Sequence, residues 1–240
     1  MASPEQRQQH RQDPTQYEPL LGQTGDVGHL KEDGIYRNLF TGTAAIAQAG
    51  VLILVALVWS GILSNQLIFF SPHPLLNSSA LLLQVQAALI LQPTTTSTPR
   101  TKLLGTKVHY VLQSISILAF LSGLIIIEIN KGDHPRFTSF HGVVGLITYI
   151  SIVLQALVGV IQYFFPAQIL GSVGRGKQIY KYHRLSGYAL LVLELVAVLA
   201  ATQTTYNVNI LKIPFYPVAG AGLLLLVGVG SRVQRQKLGL

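Results

Sequence analysis

Residues 38 to 99 read NLFTGTAAIAQAGVLILVALVWSGILSNQLIFFSPHPLLNSSALLLQVQAALILQPTTTSTP, a run of 62 residues without Asp, Glu, Lys or Arg. A helix that crosses a bilayer needs about 20 mainly apolar residues, so this run has room for two such helices. Only 11% of the 240 residues are charged, against about 25% in ordinary soluble domains. The sequence therefore predicts an integral, multi-pass membrane protein.

Apolar runs continue along the chain and predict an all-α fold of six transmembrane helices. They are Thr41–Leu63, Pro74–Leu91, Leu104–Ile127, Thr138–Phe165, Lys181–Thr202 and Ile213–Ser231. Residues 1–40 are polar and carry charges of both signs, which predicts a flexible tail. We expect the membrane domain to cover residues 41–232 and a short basic tail to cover residues 233–240.

Basic residues are distributed unevenly between the two sides of the six predicted spans. Fourteen Lys and Arg fall in the two tails and the even-numbered loops, whereas three fall in the odd-numbered loops. Basic residues are in excess on the cytoplasmic side of membrane proteins, so both tails are predicted to be cytoplasmic. This anchoring accounts for the net charge of +8, and we expect no nucleic-acid partner.

The chain contains seven His and no Cys. The absence of Cys excludes thiolate zinc sites, iron–sulfur clusters and covalently attached haem, so that nitrogen or oxygen atoms would hold any cofactor. Four His lie near the starts of different predicted helices, where ionisable groups are rare and often functional. They are His73, His109, His141 and His183.

Alternate helices run in the same direction, which sorts these four His into two pairs. His73 and His141 are expected in the outer leaflet, and His109 and His183 in the cytoplasmic leaflet. Two parallel helices that each offer an imidazole at one depth match the ligands of a bis-His haem b. A zinc site would instead favour four ligands that converge at one level. A single His of this kind could instead bond a neighbouring carbonyl.

Two glycines follow a His by four residues, which places them one turn along the same helix face. They are Gly145, after His141, and Gly187, after His183. A missing side chain at these positions would let a flat macrocycle approach the backbone. Close packing between membrane helices is the other interpretation of such glycines.

Four motifs carry the four His: Ser71-Pro72-His73-Pro74-Leu75, Lys107-Val108-His109, Ser139-Phe140-His141-Gly142 and Tyr182-His183-Arg184-Leu185-Ser186-Gly187. In this order the sequence resembles the cytochrome b561 family in its compact, single-domain, six-helix form. The resemblance implies a central four-helix bundle that encloses two non-covalent haems b. It also implies electron transfer from cytosolic ascorbate to monodehydroascorbate or ferric iron on the other side. Asn77 departs from the family, which often has Met four residues after the first ligand.

Ascorbate is an anion, so a binding site for it would need cations at the cytoplasmic rim. Lys107 and Lys177 are the first candidates, because the resembling family has basic residues at similar positions. The neighbouring cations are Lys102, Lys181 and Arg184. Positive-inside anchoring is the alternative interpretation of all five. On the outer side, an anionic acceptor or a ferric chelate would meet His134 and Arg136, or these two belong to an ordinary solvated loop.

Glu194 is the one acid deep inside a predicted span, and it is open whether it partners a polar group or takes part in proton coupling. Gly171–Lys177 has the glycine and lysine spacing of a phosphate-binding loop. It lacks both the following Ser or Thr and the strand-to-helix context, so we interpret it as a flexible loop.

Glu18-Pro19-Leu20-Leu21 resembles an acidic dileucine sorting signal and favours an internal membrane such as that of the vacuole, the lysosome or the endoplasmic reticulum. The competing function is an intramembrane transporter that uses its His for a metal ion or a proton. A homodimer remains open as the state of assembly.

Overall fold

A computed structural model gives the fold of residues 34–95 and 98–238. Six long helices dominate it, and these residues contain no strand. The helices are α1 (Ala44–Leu63), α2 (Pro72–Leu91), α3 (Pro99–Lys131), α4 (Phe140–Phe164), α5 (Val173–Thr202) and α6 (Phe215–Gly230). The shorter segments are the 3-10 helices Ile35–Leu39 and Arg235–Leu238, the α-helical segment Pro166–Leu170 and the π-helix Asn207–Leu211. The predicted all-α class is confirmed.

Five of the long helices, α1 to α5, are long and apolar enough to cross a membrane. Helix α6 is also apolar but has 16 residues, which gives it a length of about 24 Å against a hydrocarbon core of about 30 Å. Large apolar side chains remain exposed along the helices, such as Leu118 at 65% and Leu154 at 57%. Such exposure is expected of surfaces that face lipid, so the fold is that of a membrane protein.

The helices pack mainly as three pairs: α2 with α3, α4 with α5, and α1 with α6. We call α2 and α3 the first hairpin, and α4 and α5 the second hairpin. Contacts between the two hairpins are much sparser than contacts within each of them. The two hairpins are therefore held apart over much of their length.

Three helices begin earlier than the sequence predicts, α2 by two residues and the other two by more. Helix α5 begins at Val173 instead of Lys181, because the Ser172 side chain caps it by accepting a hydrogen bond from the backbone N–H of Arg175. The interpretation of Gly171–Lys177 as a flexible loop is therefore wrong from Val173 onward. Helix α3 begins at Pro99 instead of Leu104, since proline suits the first turn of a helix.

These early starts change where two of the His lie. His109 and His183 are each the eleventh residue of their helix and do not lie near its start. His73 and His141 are each the second residue of theirs. The four positions are therefore symmetric between the two hairpins.

The described part of the N-terminal tail packs against the bundle. Asn38 is 2% exposed, its side chain donates to the carbonyl of Ile90 at 2.8 Å, and its own carbonyl accepts from Arg232 at 2.9 Å. Residues 34–40 thus differ from the flexible tail that the sequence predicts, because they satisfy buried polar groups. Burial lowers the pKa of Arg232 to about 10, which leaves it charged at neutral pH. Residues 1–33, with the dileucine-like motif, lie outside the described residues.

The C-terminal segment is tied to the same end of the bundle. The ammonium group of Lys237 donates to the carbonyls of Gln92 and Thr94 at 2.6 and 2.8 Å. We call this end, where α2 and α6 end and α3 and α5 begin, the terminal face. The opposite end, where α2 and α4 begin, is the distal face.

Candidate two-histidine sites

His73 and His141 face each other near the distal face, one from each hairpin. Their ring centres are 6.4 Å apart and their planes are inclined by 80°. Two metal–nitrogen bonds of about 2 Å, with about 1.1 Å from each nitrogen to its ring centre, would separate two such rings by about 6 Å. The spacing therefore fits one metal ion ligated from both sides, as in a bis-His haem.

His109 and His183 form the corresponding pair toward the terminal face. His109 belongs to α3 and His183 to α5, so this pair also joins the two hairpins, and the two imidazoles lie within electrostatic range of each other. The structure thus brings together the two pairs that the sequence predicts. No group of three or more His, Asp or Glu that could hold a metal ion occurs in residues 34–95 and 98–238.

Three of the four imidazoles are oriented by a backbone carbonyl of the partner helix in their own hairpin. The Nδ1 atoms of His73, His109 and His141 each lie 2.9 Å from a carbonyl oxygen, of Gly123, Ala87 and Ala197 respectively. A carbonyl can only accept, so Nδ1 carries the proton and Nε2 keeps its lone pair. A His that ligates a metal through one ring nitrogen normally donates the N–H of its other ring nitrogen to such an acceptor.

A spacing of fourteen residues relates the carbonyl groups to the His. Ala87 lies fourteen residues after His73, Gly123 fourteen after His109, and Ala197 fourteen after His183. Fourteen residues are close to four helical turns and rise about 21 Å, so both ends of the interval lie on one face of the helix. Each of these helices therefore presents a His at one level and a carbonyl anchor at the other.

The fourth position of this pattern is occupied differently. Gln155 lies fourteen residues after His141, and its side chain donates to the carbonyl of His183 at 2.7 Å while it accepts from Ser186 at 2.7 Å. The Nδ1 atom of His183 is buried and has no hydrogen-bond partner among the described residues. The His183 ring packs on Gly159 of α4, where a Cβ added to the glycine would lie 3.1 Å from the ring. Packing, rather than a carbonyl, orients this imidazole.

The two candidate glycines have different surroundings. At Gly145 an added Cβ would meet no atom of the described chain within 4 Å, so open space lies beside α4 one turn after His141. At Gly187 an added Cβ would lie 3.1 Å from Nε2 of Gln155, so the missing side chain there makes room for an amide. Of the two, Gly145 is the one with free space beside it.

Asn77 links the two hairpins beside His73. Its Nδ2 atom donates to the His73 carbonyl at 2.6 Å and lies 3.3 Å from the His73 ring nitrogen Nδ1. Its Oδ1 atom accepts from the Tyr149 hydroxyl at 2.7 Å. The sequence marks this position only as a departure from the family. Asn77 lies four residues after His73, and this spacing is the feature of the sequence from which its contact with His73 could have been predicted.

Three of the five candidate ascorbate residues form one basic group at the terminal face. Lys102 lies within electrostatic range of Arg184 and Lys177, and Arg184 also donates to the carbonyl of Lys237 at 2.8 Å. Lys107 and Lys181 are exposed, as is Lys177, but they are not among the charges that act on Lys102. The Lys181 ammonium lies 5.0 Å from the centre of the Tyr182 ring. The group of Lys102, Lys177 and Arg184 is therefore the better candidate for an anion.

The two candidate acceptor residues lie on the exposed loop at the distal face. The Arg136 guanidinium forms a salt bridge with Glu128 at 2.8 Å, so part of its charge is already neutralised. His134 is exposed and belongs to the turn that follows α3. The structure thus places the pair at the same face as His73 and His141.

A membrane bundle with two pairs of His at different depths has the architecture of a transmembrane redox protein. The family model for eukaryotic cytochrome b561 matches residues 72–207, which include all four His and helices α2 to α5. The chain belongs to the cytochrome b561 family. It is therefore a haem-binding transmembrane oxidoreductase of the electron-transport type. No curated protein matches the chain.

Proposed function

We propose that the protein transfers electrons across an internal membrane, from cytosolic ascorbate to monodehydroascorbate or ferric iron on the other side, through two haems b. The observation that carries this proposal is the presence of two His pairs at two levels of the bundle, whose separation is the fourteen-residue interval between a His and the carbonyl anchor on the same helix. One pair is His73 with His141, and the other is His109 with His183. With the pairs about 21 Å apart along the helix axes, the two sites together reach across most of an apolar core about 30 Å thick.

The four His would ligate the two haem irons through their Nε2 atoms. The Nδ1 atoms of three of them would hold the imidazoles in position through hydrogen bonds. The carbonyls of Gly123, Ala87 and Ala197 keep three imidazoles in the tautomer that leaves Nε2 free. Each haem, when bound, supplies an iron that can gain and lose one electron. The open space beside Gly145, one turn after His141, supports the same assignment, because a macrocycle bound between the hairpins would need such room.

The basic group at the terminal face would attract the electron donor. Lys102, Lys177 and Arg184 concentrate positive charge near His183, which raises the local concentration of an anion such as ascorbate. The 14-to-3 distribution of basic residues supports a cytoplasmic position for this face. At the distal face we assign His134 and Arg136 to the acceptor. Arg136 would then exchange its Glu128 partner for the acceptor's negative charge.

Absorption spectroscopy of the purified protein tests this function. We expect about two haems per chain, with Soret and alpha bands that sharpen when ascorbate is added. The competing assignment, a His-based transporter for a metal ion or a proton, predicts a colourless protein that is folded and active. Haem that dithionite reduces but ascorbate does not would contradict the assigned donor while leaving the two sites intact.

A further inference from the structure

Glu194 is buried in the interior of the bundle with no partner for its charge. The residue is 3% exposed, and both carboxyl oxygens are buried without a hydrogen-bond partner in the described part of the chain. Its polar neighbour is Gln84 of α2, whose Oε1 atom is likewise buried and unpartnered among the described residues. An uncompensated carboxylate inside a membrane is costly, so this arrangement needs either a proton or a counter-charge.

Gln84 and Glu194 approach each other from opposite levels of the bundle. Gln84 lies eleven residues after His73, and Glu194 lies eleven residues after His183. Each interval is about 16 Å along its helix. Helical side chains lean toward the start of their own helix, and α2 and α5 run in opposite directions, so these two side chains lean toward each other. The contact therefore lies between the two His levels.

The neighbouring helices present no cation to Glu194 among the described residues. On α2, His73 bonds Gly123. On α4, His141 bonds Ala197, Tyr149 bonds Asn77 and Tyr163 packs on Tyr110. On α6, the titratable residue is Tyr216, which is 84% exposed. On α5 itself, the cations lie toward the terminal face: Arg175, Lys177, Lys181 and Arg184.

We propose that Glu194 binds a proton when the protein is reduced, so that electron arrival in the membrane is coupled to proton uptake. This inference rests on the proposed function. In the oxidised protein, the positive charge of the ferric haems would balance the carboxylate. An electron that arrived from a donor such as ascorbate would cancel one positive charge at a bound haem, and the Glu194 carboxylate would restore the balance by taking one proton from water. Gln84 can stabilise both protonation states of Glu194, because its amide N–H can donate to the carboxylate and its amide oxygen can accept from the carboxylic acid.

A redox titration at several pH values tests the proposal. At a fixed applied potential, the ratio of reduced to oxidised haem should fall as pH rises, by up to about tenfold per pH unit for one proton per electron. Glu194→Gln should remove most of this dependence. Asp133→Asn is the matched control, because Asp133 is an exposed acid in the turn after α3, and the titration of this variant should follow that of the unaltered protein.

Infrared difference spectra supply a second readout that does not depend on the Glu194 variant folding. Reduction of the unaltered protein should produce the carbonyl stretch of a protonated carboxylic acid, and Gln84→Ala should shift this band. Potentials that do not change with pH, or no such band, would overturn the proposal even though ascorbate still reduces both haems. A protein without haem would instead overturn the proposed function.

Discussion

The Nδ1 atom of His141 lies 2.9 Å from the carbonyl oxygen of Ala197. This contact joins α4 to α5, and Ala197 is itself fourteen residues from His183 on α5. The first hairpin repeats the arrangement in both directions, from His73 to Gly123 and from His109 to Ala87. Each hairpin is thus built as a unit that orients its own imidazoles, and a cofactor bound between the His of a pair would join the two units.

Substitution of the distal pair tests the pairing of the His. We expect His73→Ala and His141→Ala each to leave about one haem per chain, because each removes one ligand of the same haem. The double variant should also retain about one, which a pyridine haemochrome assay would measure. A double variant that remains folded but has lost both haems would show that the four His are paired differently.

A second prediction concerns the open space beside Gly145. Leucine at this position should fill the space next to His141 and lower the haem content to about one per chain. Gly220→Leu is the matched control, because an added Cβ there also meets no atom of the described chain within 4 Å but Gly220 lies at an exposed position of α6, away from the His. Equal haem contents in the two variants would mean that the space at Gly145 faces lipid rather than a cofactor.

The basic group gives a prediction about the electron donor. Lys102→Gln combined with Lys177→Gln should raise the ascorbate concentration for half-maximal reduction by roughly three- to tenfold, because one partly exposed and one exposed charge together contribute about 0.6–1.4 kcal/mol. Reduction by dithionite should not change. The control is Arg100→Gln combined with Arg175→Gln, which removes the same charge from exposed positions near the same face. An equal effect of the control would mean that the basic group attracts ascorbate only through the general positive charge of this face.

The bond between Asn77 and Tyr149 should stabilise the packing of the two hairpins. A double-mutant cycle with Asn77→Ala and Tyr149→Phe should give a coupling energy of about 0.6 kcal/mol in the free energy of unfolding, as for other hydrogen bonds between membrane helices. Unfolding by a denaturing detergent would measure it. Additive effects of the two substitutions would mean that the bond contributes nothing.

The helices and the His pairs could be predicted from the sequence because both depend on long-range periodicity. Apolar runs as long as a bilayer is thick specify helices whatever their tertiary contacts, and alternating helix direction specifies which His share a depth. The start of α5 was missed because Gly171–Lys177 is rich in glycine and charge, whereas the Ser172 cap and α5 itself make that segment helical. The local composition there favoured a loop.

The anchors of the His could not be predicted in the same way. Every residue has a backbone carbonyl, so nothing in the identity of Ala87 or Ala197 marks it as an acceptor. Gly159 and Gly123 are visible as glycines, but their proximity to His183 and Asn77 follows from helix packing. The interval of fourteen residues is present in the sequence, yet its meaning depends on knowing that the helices pair as hairpins.

Electron transfer across a sealed vesicle tests the central claim most directly. With the terminal face outside and an acceptor such as ferricyanide trapped inside, ascorbate added outside should reduce the trapped acceptor without crossing the membrane. The combined His109→Ala and His183→Ala variant should lose this transfer, while its remaining haem stays reducible by small reagents. If that variant transfers electrons to the trapped acceptor as fast as the unaltered protein, the two His pairs are not the route across the membrane.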